Sequence, residues 1–423
     1  MFVDLKNQKI QIDDSLIEYE LCETLNIINI IKPNQKILNY LFLVAYYQNK
    51  KFIKNKTTID LSNFGFEKQM LNLDNYSLKR IVKIGSNKTG KNNNICDVPG
   101  VLVGQMEIKG NEYNTGLTVV MPHPGNLFTE KVVASIYVFN GFGKTCGLMQ
   151  VDEVGTIETP IVFTSTLSVG KIADALNTHM LAINPNVTSI NPIVMECNDG
   201  QLNNSRERIL SYEHLEKAFD NLNTTFKMGD FGAGTGMICH GFKGGIGSSS
   251  RVIELNGKSY SIGILLNSNF GSANGEELIF KGRPLGHLIE QMSEHYYDRG
   301  SIVAAMACDI PLNERQLKRV LKRIELGISR TGSFGGHSSG DLFVGFTTQN
   351  KITKPFNENI KRFSDEDLNV IFKQVVEMTE EAVLNSMLYA HDMKGYKKEV
   401  KGLLSNISLF DDLLDIEIVK NNE

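Results

Sequence analysis

From Cys96 onward, apolar residues gather in short runs that stop at glycine, proline or asparagine, a pattern that predicts strands. The runs cover Val132–Asn140, Pro160–Thr164, Pro192–Glu196, Met237–Phe242, Ser259–Asn267, Ser301–Cys308 and Leu342–Thr347. In Glu314–Ser329 the apolar residues Leu317, Val320, Leu321, Ile324 and Ile328 instead recur at helical spacing. Asn313 can cap that helix, with Gln316 as its capping-box partner. A second helix is predicted over Asp365–Tyr389, capped by Ser364 and striped by Leu368, Ile371, Phe372 and Val375. Helices also fit Val169–Leu181 and Tyr212–Leu222. Long strands carrying glycine, interrupted by a few helices, predict stacked sheets covered by helices: an α+β, or layered α/β, fold.

Residues 1–94 read differently. They are rich in Lys, Asn, Ile and Leu and hold three glycines, Gly65, Gly85 and Gly90. The stretch Ser86–Asn94 (SNKTGKNNN) is polar and low in complexity, as a linker is. The pattern divides the chain into an N-terminal appendage and linker, 1–94, expected to be small and helical, and a main domain, 95–423.

Composition narrows the function. A formal net charge of -4 over 423 residues provides no basic field for nucleic acid or an anionic membrane. The six cysteines form no C-x-x-C pair, which argues against a zinc knuckle, a redox motif or a disulfide framework. Met1–Asp14 has acidic residues and no apolar signal core, and the run Ile37–Tyr47 is too short to span a bilayer. These features predict a cytoplasmic protein. No G-x-S-x-G elbow and no H-E-x-x-H motif is present. The glycine-rich stretches 232–236 and 244–250 do not fit a phosphate-binding loop.

Four local patterns can carry chemistry. Gly300-Ser301 opens an apolar run, so a hydroxyl begins a buried strand, preceded by the polar approach Tyr296–Arg299. A serine there can attack the carbonyl before it, and the α-amine released by cleavage can then act as its base. An ordinary strand start after a turn is the plain alternative. Ser339 and Asp341, two residues apart at a strand mouth, can orient such a nucleophile, or form a polar turn. Asn269 ends an apolar strand where an amide can donate to an oxyanion, or make a turn. Glu196 and Asn198 follow a strand in the same way; the carboxylate can grip a substrate ammonium, with Glu153 as a second possibility. Gly247-Ser248 is a rival cleavage site.

The motifs taken together resemble the L-aminopeptidase D-amidase/D-esterase family, which includes the β-peptidyl aminopeptidases. They run in order from about Ile95 to His391: DVPGVLVG from Asp97, NGFGK from Asn140, GTIETP from Gly155, ECNDG from Glu196, GAGTGM from Gly232, KGGIG from Lys243, GSIV from Gly300 and SSGD from Ser338. The resemblance implies an αββα four-layer sandwich of the N-terminal-nucleophile type. It implies self-cleavage at Gly300-Ser301, with Ser301 as nucleophile, Asn269 as oxyanion donor and Ser339 and Asp341 as support. It implies an aminopeptidase or amidase acting on a small peptide or amino-acid amide, with no metal or cofactor, assembled as a homo-oligomer of cleaved heterodimers. Asn198 stands where some members carry a second oxyanion contributor, a tyrosine. Acyl transfer through the same acyl-enzyme and a non-catalytic binding protein of this fold are the alternatives.

Overall fold

The computed structural model describes residues 82–255, 257–286, 300–353 and 360–403 in full, and the backbone of six further strands. Four of these, Phe2–Asp4, Lys9–Ile12, Ser15–Cys22 and Ile27–Ile30, pair antiparallel in sequence order. The other two, Tyr76–Ile81 and Asp415–Lys420, form an antiparallel ribbon. The chain divides into two compact units, 1–81 with 414–423, and 82–413. Strands stand where a helical appendage was expected. The reason is visible in Ser15–Cys22, where Ile17, Tyr19 and Leu21 alternate with Glu18 and Glu20, a period of two. The run Ile37–Tyr47 lies outside the described residues.

The larger unit holds, in chain order, β1 (Leu102–Lys109), β2 (Asn114–Met121), β3 (Glu130–Gly141), α1 (Leu148–Val154), β4 (Thr156–Ile157), β5 (Ile161–Ser165), α2 (Val169–Ile183), β6 (Ile193–Cys197) and α3 (Tyr212–Asp220). It continues with β7 (Ile238–Cys239), β8 (Phe242–Lys243), β9 (Gly245–Leu255), β10 (Lys258–Asn269), β11 (Ser301–Cys308), α4 (Glu314–Leu321), α5 (Ile324–Ser329), β12 (Gly340–Thr353) and α6 (Leu368–Leu388). One sheet has the order β6-β5-β2-β1, the other β9-β10-β11-β12-β3-β4. Pairing is antiparallel except for β5 with β6 and β11 with β12.

The sheets stack face to face. Val103, Val120, Phe163 and Met195 from the first meet Leu265, Val303, Ala305 and Val344 from the second in one core. The other face of the first sheet buries Val119, Val162 and Val194 against Ile172 and Leu176 of α2 and Leu215 of α3. Helix α6 packs on β9 and β10, and α4 on β3 and β12. The layers are therefore αββα. Central β11 is buried at all eight positions, which explains its uninterrupted apolar run.

Several expectations need redrawing. Residues 86–94 are part of the larger unit rather than a linker: Asn93 Nδ2 donates to Glu381 at 2.5 Å, Val252 N–H donates to the Lys88 carbonyl at 2.9 Å, and Asn94 caps the turn Ile95–Asp97. The predicted strand Met237–Phe242 is a tight hairpin, because His240 and Gly241 both take positive φ. The helix expected over Glu314–Ser329 breaks into α4 and α5. The Asn313–Gln316 capping box is present at its start, and Arg323 stacks on Phe372 at 3.7 Å at the break. The bend lets Gly327 approach α6 so closely that a Cβ would sit 2.5 Å from Thr379 Cβ.

Candidate active site

Ser301 opens β11. It lies level with Asn269 of β10 on one side and Gly340 of β12 on the other, and Gly141 of β3 follows beyond Gly340. Its hydroxyl donates to the Gly300 carbonyl at 2.8 Å. The Gly340 N–H approaches the same oxygen at 3.4 Å. A Cβ at residue 300 would meet the Asn269 carbonyl oxygen at 2.0 Å and Phe270 Cα at 2.5 Å. Close approach of two backbones therefore demands glycine before the serine. A Cβ at Gly340 would lie 3.3 Å from Ser301 Oγ, so this glycine keeps the neighbouring space open. The approach Tyr296–Arg299 lies outside the described residues.

The Asn269 amide is held at both ends. Its Oδ1 accepts from the Ile238 N–H at 2.9 Å and its Nδ2 donates to the Asn198 carbonyl at 3.1 Å. A backbone N–H needs the oxygen and a backbone carbonyl needs the nitrogen, so the network sets the amide's orientation. One of the two Nδ2 hydrogens is used by Asn198; the second is a donor beside the strand end that bears Ser301.

Ser339 and Asp341 do pair: Ser339 Oγ donates to Asp341 Oδ1 at 2.6 Å, with both residues buried. They flank Gly340, the residue level with Ser301. Asp341 is level with Ile302, so it points to the opposite face of the sheet from Ser301. On that face Glu325 of α5 is its neighbour. Burial first, and then the negative charge of Asp341, raises the Glu325 carboxyl to about 8.

Glu196 is buried near the end of β6, where Oε1 accepts from the Lys144 N–H at 3.0 Å and Oε2 from the Thr166 hydroxyl. Its neighbour Cys197 turns to the inter-sheet side and lies with Sγ 3.5 Å from the Ser301 carbonyl. Asn198 is exposed, and its Oδ1 accepts from the Gly200 N–H at 2.9 Å, closing a turn. Its backbone carbonyl, through Asn269, ties it to the site. Glu153 is not brought to this group. It lies exposed on α1, which ends where the Gly155 carbonyl accepts from Ala134 N–H. Ala134 is level with Phe346 and so with Ala307, six residues and roughly 20 Å along the sheet from Ser301.

The rival bond Gly247-Ser248 lies within β9, paired with Leu266 and Leu265. Ser248 Oγ is committed to the Ile264 carbonyl at 2.5 Å and accepts from Ile95 N–H at 2.9 Å. A cut there would sever an internal strand. Lys144 and Thr166, which hold Glu196, gain their roles only from the fold. Lys144, Ile238 and Gly340 act through backbone N–H groups, which carry no residue-type signal. Burial pushes the Cys96 and Cys308 thiols up to about 12 and raises Cys197 as well, which keeps them protonated. No helix among the described residues is long and apolar enough to cross a membrane.

With this geometry in hand, the likenesses to known proteins fall into place. Residues 93–401 match peptidase family S58. The chain is 32% identical over 339 residues to the β-peptidyl aminopeptidase BapA of Sphingosinicella microcystinivorans, covering 73% of this chain and 84% of that one. A crystallised protein of Pyrococcus horikoshii OT3 superposes with a TM-score of 0.74 at 40% identity, over 78% of this chain and 97% of that one. The L-aminopeptidase D-Ala-esterase/amidase of Ochrobactrum anthropi, described as a prototype of the serine aminopeptidases and a variant of the Ntn hydrolase fold, superposes at 0.72 with 32% identity, over 78% and 95%. Peptide and amide hydrolysis is the common thread, and neither acyl transfer nor a non-catalytic role is favoured.

Proposed function

The chain belongs to peptidase family S58, and we propose that Ser301, freed by cleavage of the Gly300–Ser301 bond, is the nucleophile with which this aminopeptidase hydrolyses peptide and amide bonds. The observation that carries the reading is the Ser301 hydroxyl bonded at 2.8 Å to the carbonyl of the glycine before it, at the mouth of a buried strand.

Self-cleavage begins when Ser301 Oγ attacks the Gly300 carbonyl carbon. The C–N bond to Ser301 breaks, the nitrogen takes the hydroxyl proton, and Gly300 is left as an ester on Oγ. The Gly340 N–H stands on the side of the Gly300 oxygen and supports its developing charge. Water hydrolyses the ester, leaving a carboxylate at Gly300 and an α-amine at Ser301.

That amine has a reference pKa of roughly 7.7–8.0, so roughly a tenth to a sixth of it is unprotonated at pH 7 and about half near pH 8. It takes the Oγ proton as Oγ attacks the substrate carbonyl, and returns it to the leaving amine. The Asn269 amide donates to the oxyanion, with the Asn198 turn holding that amide in place. Ser339 and Asp341, hydrogen-bonded to each other around Gly340, brace the strand mouth beside the new terminus. Glu196, whose carboxyl oxygens accept from the Lys144 N–H and the Thr166 hydroxyl, receives the substrate's ammonium group. The substrate is a small peptide or amino-acid amide with a free amino end; the relatives' names extend the range to β-peptides and D-amides. The cleaved heterodimers assemble as homo-oligomers, and the enzyme works in the cytoplasm, where its free cysteines stay reduced.

Intact-mass analysis of purified protein beside Ser301→Ala tests the reading. The wild type should give chains of 300 and 423 − 300 = 123 residues, the smaller beginning Ser-Ile-Val. The alanine variant should stay whole and inactive. An uncut wild type with full activity would overturn the proposal.

A further inference from the structure

Lys243, in the KGGIG motif, is fully buried and is used by none of the steps above. Its ammonium donates to three backbone carbonyls: Gly234 at 3.0 Å, Met237 at 2.9 Å and Gly244 at 2.9 Å. Three acceptors match three ammonium N–H bonds, and a neutral amine would turn its lone pair on one of them. Burial pushes the group's pKa down to about 7, against the opposing pull of Asp230. A lysine buried without a carboxylate in contact is costly, and here the three carbonyl acceptors are what offset its lost hydration.

The acceptor at Met237 shows the use. The Met237 carbonyl and the Ile238 N–H belong to one peptide group. That N–H is the donor to Asn269 Oδ1 at 2.9 Å. A trans peptide points its C=O and N–H in opposite directions, so this one stands between the lysine and the asparagine. The chain of contacts runs from the Lys243 ammonium to the Met237 carbonyl, then from the Ile238 N–H to Asn269 Oδ1, and ends at Asn269 Nδ2. Each amide in such a chain is polarised in the same sense, which makes its N–H a stronger donor.

We propose that Lys243 is a positioning residue for the oxyanion donor: through the peptide joining Met237 and Ile238 it fixes and polarises the Asn269 amide. The proposal rests on the reading of Asn269 as that donor. No bond is made or broken at Lys243, and its contribution appears as charge builds on the substrate oxygen.

The test uses the processed enzyme with amino-acid p-nitroanilides of L-, D- and β-type, taking whichever the wild type turns over. Rates are expressed per free Ser301 terminus, counted by intact mass. Lys243→Met removes charge and donors, Lys243→Gln keeps neutral donors, and Asn269→Ala removes the amide. Lys243→Met is expected to lower kcat by about 10- to 100-fold with KM within about threefold, a fraction of the roughly 10²–10³ that an oxyanion donor supplies. Lys243→Gln, which keeps the loop's carbonyls partly satisfied if the methionine variant fails to fold, should fall between the two. Combined with Asn269→Ala, either change should cause no further loss. An amino aldehyde that forms a hemiacetal on Ser301 should lose affinity in step with kcat/KM. The proposal is overturned if the glutamine variant keeps wild-type kcat, or if its loss multiplies fully with that of Asn269→Ala. If Asn269→Ala itself keeps wild-type kcat, the failure lies in the oxyanion reading instead.

Discussion

Glu325 offers a measurement of how the site's surroundings hold their charges. Glu325 is 8% exposed, its carboxyl neighbours Asp341, and Oε2 is buried without a hydrogen-bond partner in the protein. Burial and Asp341 raise its pKa from 4.5 to about 8. Between those values the folded protein holds a proton that the unfolded chain has released. Stability is therefore full below pH 4.5 and is lost as pH rises towards 8. At about 1.4 kcal/mol per pH unit, an interval of roughly 3.5 units amounts to at most about 5 kcal/mol. Water entry at the exposed edge brings the expected loss to on the order of 2–5 kcal/mol. Glu325→Gln mimics the protonated carboxyl at every pH. Urea unfolding at pH 5, 6, 7 and 8, followed by far-UV circular dichroism, checks this in a Ser301→Ala background that keeps one chain. The glutamine variant should come within about 1 kcal/mol of its parent at pH 5 and exceed it by a few kcal/mol at pH 8. A difference that stays flat, or falls, across that range would refute the reasoning.

Two further outcomes follow from close packing and buried charge. Gly300→Ala puts a Cβ 2.0 Å from the Asn269 carbonyl oxygen, so the strand end must shift. Self-cleavage, followed on denaturing gels over time, should slow by about 100-fold, and an unchanged rate would show that residue 300 is not held against β10. Arg251→Met leaves Glu381 buried without the cation now 2.6 Å away, which should cost about 3–5 kcal/mol in urea unfolding. Arg251→Met with Glu381→Gln should recover part of that loss.

Much of the site could be read from residue order. Gly300-Ser301 before the apolar run Ile302–Cys308 marks the buried central strand. The Ser339–Asp341 pair follows from period two, and the Asn313 cap from spacing to Gln316. Periodicity failed where tertiary context competes with it. Strand β9 carries Gly245, Gly247 and three serines, Ser248 to Ser250, and falls outside the apolar runs that predict strands. It is a strand because Gly247 lets α6 approach until a Cβ would lie 1.9 Å from the Ala382 carbonyl. The hairpin at His240-Gly241 hides in an apolar run because its signal is backbone φ, not hydrophobicity.

What residue order determined by itself is the set of local choices: where strands and helices lie, which glycine precedes which serine, and which polar pairs share a face. These depend on side chains a few positions apart, and short-range sterics and hydrogen bonding decide them. What only the tertiary structure decided is which of those pieces meet. Sheet register puts Asn269, Ser301 and Gly340 side by side across 32 and 39 residues of chain and leaves Glu153 at the other end. Burial turns Lys243 into a cap on three carbonyls and Glu325 into a protonated acid. Both come from pairing between distant strands and from loss of water around a charge, and neither is a property of any local stretch of sequence.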